Sequence, residues 1–262
     1  MKIKLTLFLG LSISLLSGCD LVLNTITDIK DELINKIAPF NPPATSKWIE
    51  FEGILPKNTK PRLTIEYISN KCLNSKFSFS SSPYNVFMTP KHHYVNDINI
   101  SADPTTRIFK KKIPIDGGGW CDWKVKTINL ALDANNQNYL GKGAELAAGV
   151  GINVTVIDHD DIQELPKYIN DNIIYNTIIY PFLIEYPDKS NKIGLYGKTG
   201  VSETKFQLKL NENEQGKISY NPILDESKMP IIIISENEEQ SKVVYPSGRI
   251  EKGKRLNYDL IK

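Results

Sequence analysis

The sequence predicts a mostly β fold, one or two antiparallel β-sandwich-like domains set behind an N-terminal helix and linker. Three observations lead there. Apolar and polar residues alternate in short runs along most of the chain, which is the period of a strand with one buried face. Clusters of Gly, Pro and Asn break these runs where turns are needed. The one clear stretch of apolar residues spaced three and four apart lies near the N-terminus, ahead of a proline-rich segment.

In order along the chain, residues 1–18 read as a signal peptide. Met1-Lys2-Ile3-Lys4 places positive charge before an apolar run over residues 5–16. That run falls short of the ~20 apolar residues that span a membrane. Residues 19–46 follow as tether, helix and linker: Val22, Ile26, Ile29, Leu33 and Ile37 recur at helical spacing, Pro39 ends the helix, and Pro42 and Pro43 favour extended chain. Residues 47–160 form a β domain, with alternation at Leu63, Ile65 and Tyr67, at Ile128, Leu130 and Leu132, and at Ile152, Val154 and Val156. Between them, residues 139–151 are rich in Gly and Ala without alternation and read as a tightly packed helical turn, with a mobile loop between strands as the alternative. Residues 161–262 form a second β domain or continue the first. There Phe206, Leu208 and Leu210 alternate, and the solid apolar run 231–234 suits a strand covered on both faces.

The charge balance narrows the classes of partner. The 32 Lys and Arg stand against 30 Asp and Glu, and loss of the signal with Lys2 and Lys4 leaves a neutral mature chain. Nucleic-acid binding shows as a clustered basic excess, so no nucleic acid is expected. The triplet Lys110-Lys111-Lys112 reads as a solvated strand end.

No catalytic constellation is visible. The only histidines are His92, His93 and His159, and no Gly-x-Ser-x-Gly accompanies them. Lys198-Thr199-Gly200 matches the Lys-Thr-Gly triplet of penicillin-binding proteins and β-lactamases, but a three-residue match reads better as a turn. Asp158-His159-Asp160-Asp161 lacks the spacing of a calcium loop, and His92-His93 after Pro90 reads as a surface turn. The chain is therefore expected to be no enzyme and to need no metal or other cofactor.

Leu16-Ser17-Gly18-Cys19 resembles the lipobox of bacterial lipoproteins. The resemblance implies cleavage before Cys19, lipidation of its thiol and anchoring to a membrane. Asp20 matches the residue that holds enterobacterial lipoproteins on the periplasmic side of the inner membrane, with the outer membrane as the alternative address. With Cys19 lipidated, Cys72 and Cys121 remain, and in an oxidising compartment the pair is expected to be bridged. Closing that loop of about 50 residues is worth roughly 3 to 5 kcal/mol.

The most unusual stretch is Gly117-Gly118-Gly119-Trp120-Cys121-Asp122-Trp123. A phosphate loop would need a helix after it, and a strand follows, so the glycines are read as structural. Trp120, Asp122 and Trp123 are the candidate partner-binding residues, one Trp facing the core and one the surface. Lipobox, disulfide and this Trp-rich region together resemble lipoprotein immunity proteins that neutralise phospholipase effectors of type VI secretion. The resemblance implies a protein-binding module that occludes a secreted effector. A structural or assembly lipoprotein of an envelope secretion machine is the alternative, and an envelope enzyme the second alternative.

Overall fold

Residues whose side chains alternate between core and solvent become strands here because each strand can bury only one face, and two sheets satisfy that by facing each other. A computed structural model describes residues 40–78, 85–135, 145–157, 169–211 and 215–262. The strands are β1 Trp48–Ile54, β2 Thr59–Ser78, β3 Asn85–Ile98, β4 Ile108–Pro114, β5 Asp116–Gly118, β6 Trp123–Ala134, β7 Glu145–Leu146 and β8 Val150–Ile157. They continue as β9 Ile169–Asn170, β10 Asn172–Glu185, β11 Lys192–Tyr196, β12 Glu203–Lys209, β13 Gly216–Leu224, β14 Ile231–Ile233, β15 Lys242–Val244 and β16 Ile250–Lys252. Only two short 3₁₀ turns, Glu238–Gln240 and Tyr258–Leu260, interrupt the sheet among the described residues.

One sheet runs β3-β2-β6-β8-β12-β9, with β5 on β6; the other runs β16-β15-β14-β10-β13-β1-β4, with β11 on β10 and β7 on β11. Leu63, Ile65, Tyr67, Ile128, Leu130, Ile152 and Val154 from the first meet Ile49, Phe51, Phe109, Ile113, Ile173 and Tyr220 from the second in one buried cluster. The β-sandwich read from the alternation is therefore present. Its pairing is mixed rather than antiparallel: β1 and β10 both run parallel to β13, and β12 runs parallel to β8 and β9. A side-chain period of two is the same for either pairing direction, so the alternation carried no information about it.

β1 reaches across the chain to pair with β13, Phe51 lying opposite Ile218, so the main core draws on both ends of the sequence. The boundary expected near residue 160 and Asp158-His159-Asp160-Asp161 lie outside the described residues, as do the expected helix at 22–38, Cys19 and Asp20. Strand β10 belongs to two environments. Its first half pairs with β13, and its second half pairs with β11 and β14 in a smaller extension. There Tyr180, Phe182, Ile232, Val243, Tyr245, Leu256 and Ile261 form a second apolar cluster.

Several local expectations change. His92 and His93 lie within β3, paired with Ile68 and Tyr67, not on a turn. Of residues 139–151, Glu145 and Leu146 form β7 and Val150 starts β8, so the described part of that stretch is extended rather than helical. Gly149 and Gly151 explain its composition: a Cβ at either would lie within 2.5 Å of the β6 carbonyls of Leu132 and Leu130 respectively or of the Asp133 carboxylate. The lysine triplet sits inside β4, the outermost strand of its sheet, where Lys110 and Lys112 point to solvent. Charged side chains on an edge strand oppose pairing with another sheet.

Candidate functional site: the stapled tryptophan loop

β5 and β6 are joined by the four residues 119–122, a turn closed by Asp122 N donating to Gly119 O at 3.2 Å. Gly118, Gly119 and Asp122 all adopt positive φ, at 67°, 68° and 53°. Glycine adopts this conformation without strain, and Asp tolerates it better than most side chains. The turn therefore has one defined path, and Cys121 at its centre points inward with no exposed surface.

Cys121 is bonded to Cys72, with Cα atoms 5.3 Å apart. Cys72 lies where β2 slips register against β3 between Ser69 and Leu73. The buried Ser69 hydroxyl ties this irregularity to the loop. It donates to Cys121 O and accepts from Cys72 N at 2.9 Å and Lys71 N at 3.2 Å. Lys71 reaches Asp122 at 3.0 Å, and Lys124 pairs with Asp116 and lies 3.9 Å from Asp122. The hydrogen bond from Lys71 holds the Asp122 carboxyl below the usual range, with the charges of Lys124 and Lys71 adding to it. Beside the loop, Lys71, Lys124, Lys126, Asp116 and Asp122 line a charged cleft of about 400 Å³.

The two tryptophans separate. Trp120, at the tip, is 57% exposed; Trp123, the first residue of β6, is fully buried. Trp123 is thus a core residue, and its candidacy as a surface contact is withdrawn because no face of it reaches solvent. Its indole Nε1 is buried without a hydrogen-bond partner. Around it His93 lies 5.4 Å away, Phe40 stacks on His93 at 6.1 Å, and Phe40 meets Tyr67 edge-on at 4.7 Å.

Phe40 arrives from the segment expected to be a linker. Residues 40–46 lie against β5: Asn41 N donates to Gly117 O at 2.8 Å, and Asn41 bridges Gly118. Two of the three glycines make room for this strap. A Cβ on Gly117 would lie 2.6 Å from the Phe40 ring, and one on Gly118 would lie 1.9 Å from Asn41 O. Gly118→Ala is therefore expected to displace the strap, costing roughly 1 to 3 kcal/mol for the positive φ alone. Chymotrypsin should then cut at Phe40 in the native protein; unchanged resistance would show that the contact is dispensable.

His93 makes this corner pH-sensitive. Burial, followed by the charge of Lys91, holds its pKa below the ordinary imidazole value. As pH falls through about 6.5, the unfolded chain takes up a proton at this position before the folded one does, so stability falls from there downward. Glu66 is depressed as well, because hydrogen bonds from Tyr94, His92 and Thr127 together outweigh its desolvation. The contributions of Glu66 and Asp122 are full above about pH 5 and are lost as pH falls through their lowered values. Thermal midpoints should be level above pH 7 and decline in two stages below it, and His93→Gln should remove the upper stage. A wild-type midpoint that does not change from pH 7 to 5 would contradict the assignment.

Sequence reading missed Phe40, Ser69, Lys71 and His93, whose roles come from register and long-range pairing. It also passed over Ser202-Glu203-Thr204-Lys205, a Ser-x-x-Lys tetrapeptide beside Lys198-Thr199-Gly200. In the penicillin-binding enzymes that tetrapeptide lies on a helix. Here it leads into β12, where side chains three apart face opposite ways, and the Ser202 hydroxyl is spent on Thr199 O at 3.1 Å. Lys198 and Thr199 form a tight turn closed by reciprocal Gly197–Gly200 hydrogen bonds of 2.9 Å, as the turn reading expects. Among the described residues, no group of three or more His, Cys, Asp or Glu is placed to hold a metal, and no helix is long and apolar enough to cross a membrane. No family model matches the chain, and neither a curated protein nor a solved structure shows significant similarity to it.

Proposed function

We propose that this chain is a periplasmic lipoprotein, tethered through Cys19 to the inner membrane, that binds a protein partner through the Trp120 loop. The favoured partner is a secreted antibacterial effector such as a phospholipase, which the lipoprotein neutralises by covering its active face. The observation that carries the binding role is Trp120 itself: a large aromatic side chain, exposed, on a loop held by a disulfide and bordered by Lys71, Asp122 and Lys124. A pre-ordered aromatic anchor loses little conformational freedom on association, and such residues dominate interface energetics. The tether supports the inhibitory role by concentrating the protein where a membrane-active toxin works.

The test uses the mature chain without its anchoring cysteine, residues 20–262, to capture its partner, followed by affinity measurement with Trp120→Ala. A secreted toxin bound about 30-fold more weakly by Trp120→Ala, a hot-spot loss of about 2 kcal/mol, is the expected outcome. Envelope-machine subunits in its place would favour the assembly role, and undiminished binding by Trp120→Ala would remove the loop from the interface. In the same cells Cys19→Ser should move the protein from the membrane to the soluble fraction.

A further inference from the structure

The small extension around β10 and β14 leaves its apolar face only partly covered. The C-terminal residues from Leu256 to Ile261 pack over Tyr180, Phe182 and Ile232, and Tyr196 fastens this cover by donating from its hydroxyl to Leu256 O at 2.8 Å. Among the described residues, Leu256 is the edge of this cover. What remains is an open groove of about 820 Å³ between the turn at residues 198–202 and the residues around 254–256. That volume falls in the range of small-molecule sites, roughly 300 to 1,000 Å³. It shares no residue with the cleft beside the Trp120 loop.

The composition of the groove is one-sided. Phe182, Ile184 and Ile232 supply an apolar floor, and Leu146 and Val201 stand 44% and 47% exposed at its walls. Every charged residue lining it is basic, and of these Lys198 and Arg255 are exposed at the rim. Of the four, Lys192 is already paired with Glu145 at 3.0 Å and Lys254 is engaged elsewhere, so the argument rests on Lys198 and Arg255. A groove with an apolar floor and positive charge at its rim is complementary to a molecule with an apolar tail and an anionic head.

The backbone beneath the groove favours a lipid over a peptide. Ile184 lies opposite Lys192 of β11 on one side and Ile232 of β14 on the other, and Ile232 lies opposite Val243 of β15, so the strands that form the floor are paired on both edges. An extended peptide lying across this floor would bury N–H and C=O groups with no ladder to join there, whereas an acyl chain has none to satisfy.

We propose that this groove binds a single-chain anionic lipid as a monomer, its acyl chain over Ile184 and Leu146 and its head between Lys198 and Arg255. The proposal is independent of the Trp120 loop. It is tested on the mature chain by displacement of 11-dansylaminoundecanoate with laurate below its micellar concentration. Saturable one-to-one displacement is expected. Monolaurin, with the same chain and a neutral head, should compete at least tenfold more weakly, and so should laurate against the double variant Lys198→Glu with Arg255→Glu. Leu146→Asp, at another exposed site, should weaken laurate by a similar factor through the tail. Absence of saturable displacement, equal competition by monolaurin, or unchanged affinity in both variants would overturn the proposal. Binding to anionic phospholipid vesicles without binding of monomeric laurate would reassign the groove to a membrane surface. Tighter binding of an alternating Asp-Leu decapeptide than of laurate would reassign it to a peptide.

Discussion

Replacing Cys72 or Cys121 with serine is expected to lower the free energy of unfolding by about 4 kcal/mol, the chain-entropy value for a loop of the size they close. The bond joins residues 49 apart in sequence, so the unfolded chain gains considerable freedom when it is cut. The native side also loses, because both sulfurs lie in the main core, Cys121 without exposed surface, and a serine there buries a hydroxyl in apolar surroundings. Urea unfolding of the oxidised wild type, the reduced wild type and Cys72→Ser would resolve the two contributions. The reduced protein reports mainly the entropy, and the extra loss in the variant reports the buried hydroxyl. A difference below about 1 kcal/mol between oxidised and reduced protein would mean that the unfolded chain is already compact around this pair.

Trp123→Ala should cost about 3 to 5 kcal/mol, the range for truncating a large buried aromatic. Trp120→Ala, three residues away, should change stability by less than about 0.5 kcal/mol, as substitutions at exposed sites usually do. Trp123→Phe provides a sharper test. The indole Nε1 is buried and unpartnered, a condition that costs roughly 1 to 3 kcal/mol. Phenylalanine removes that donor while keeping contact with His93, so the lost volume is offset and the net change should fall well below that of alanine. Equilibrium unfolding of the three variants checks the order. If phenylalanine proved as damaging as alanine, the indole would be required for its shape.

The β class was legible because it depends on local alternation, and that alternation survives in the burial of Leu63, Ile65 and Tyr67 and of Ile152, Val154 and Val156. The cysteine pair was legible by compartment and by elimination. The mixed pairing was not, since β1 finds β13 more than 150 residues away and nothing in either segment specifies a parallel partner. The glycine triplet was correctly placed in the architecture but for incomplete reasons. Two of its members make room for residues 40 and 41, a contact visible only once the strap is in position. The groove beneath Leu256 was invisible for the same reason, its lining coming from five separate stretches of chain.

The strap also sets how the domain is mounted. A segment free from Cys19 to Trp48 would work as a leash, letting the sandwich roll and present any side to its surroundings. Docking at Gly117 and Gly118 shortens the leash and makes it a bracket, because the last gripped residue, Phe40, is held against Tyr67 and His93. Trp120 follows that grip by two residues in the chain. If Cys19 carries lipid as proposed, the end of the sandwich that carries Trp120 would be the end nearest the tether, with about twenty residues of chain between Phe40 and the bilayer.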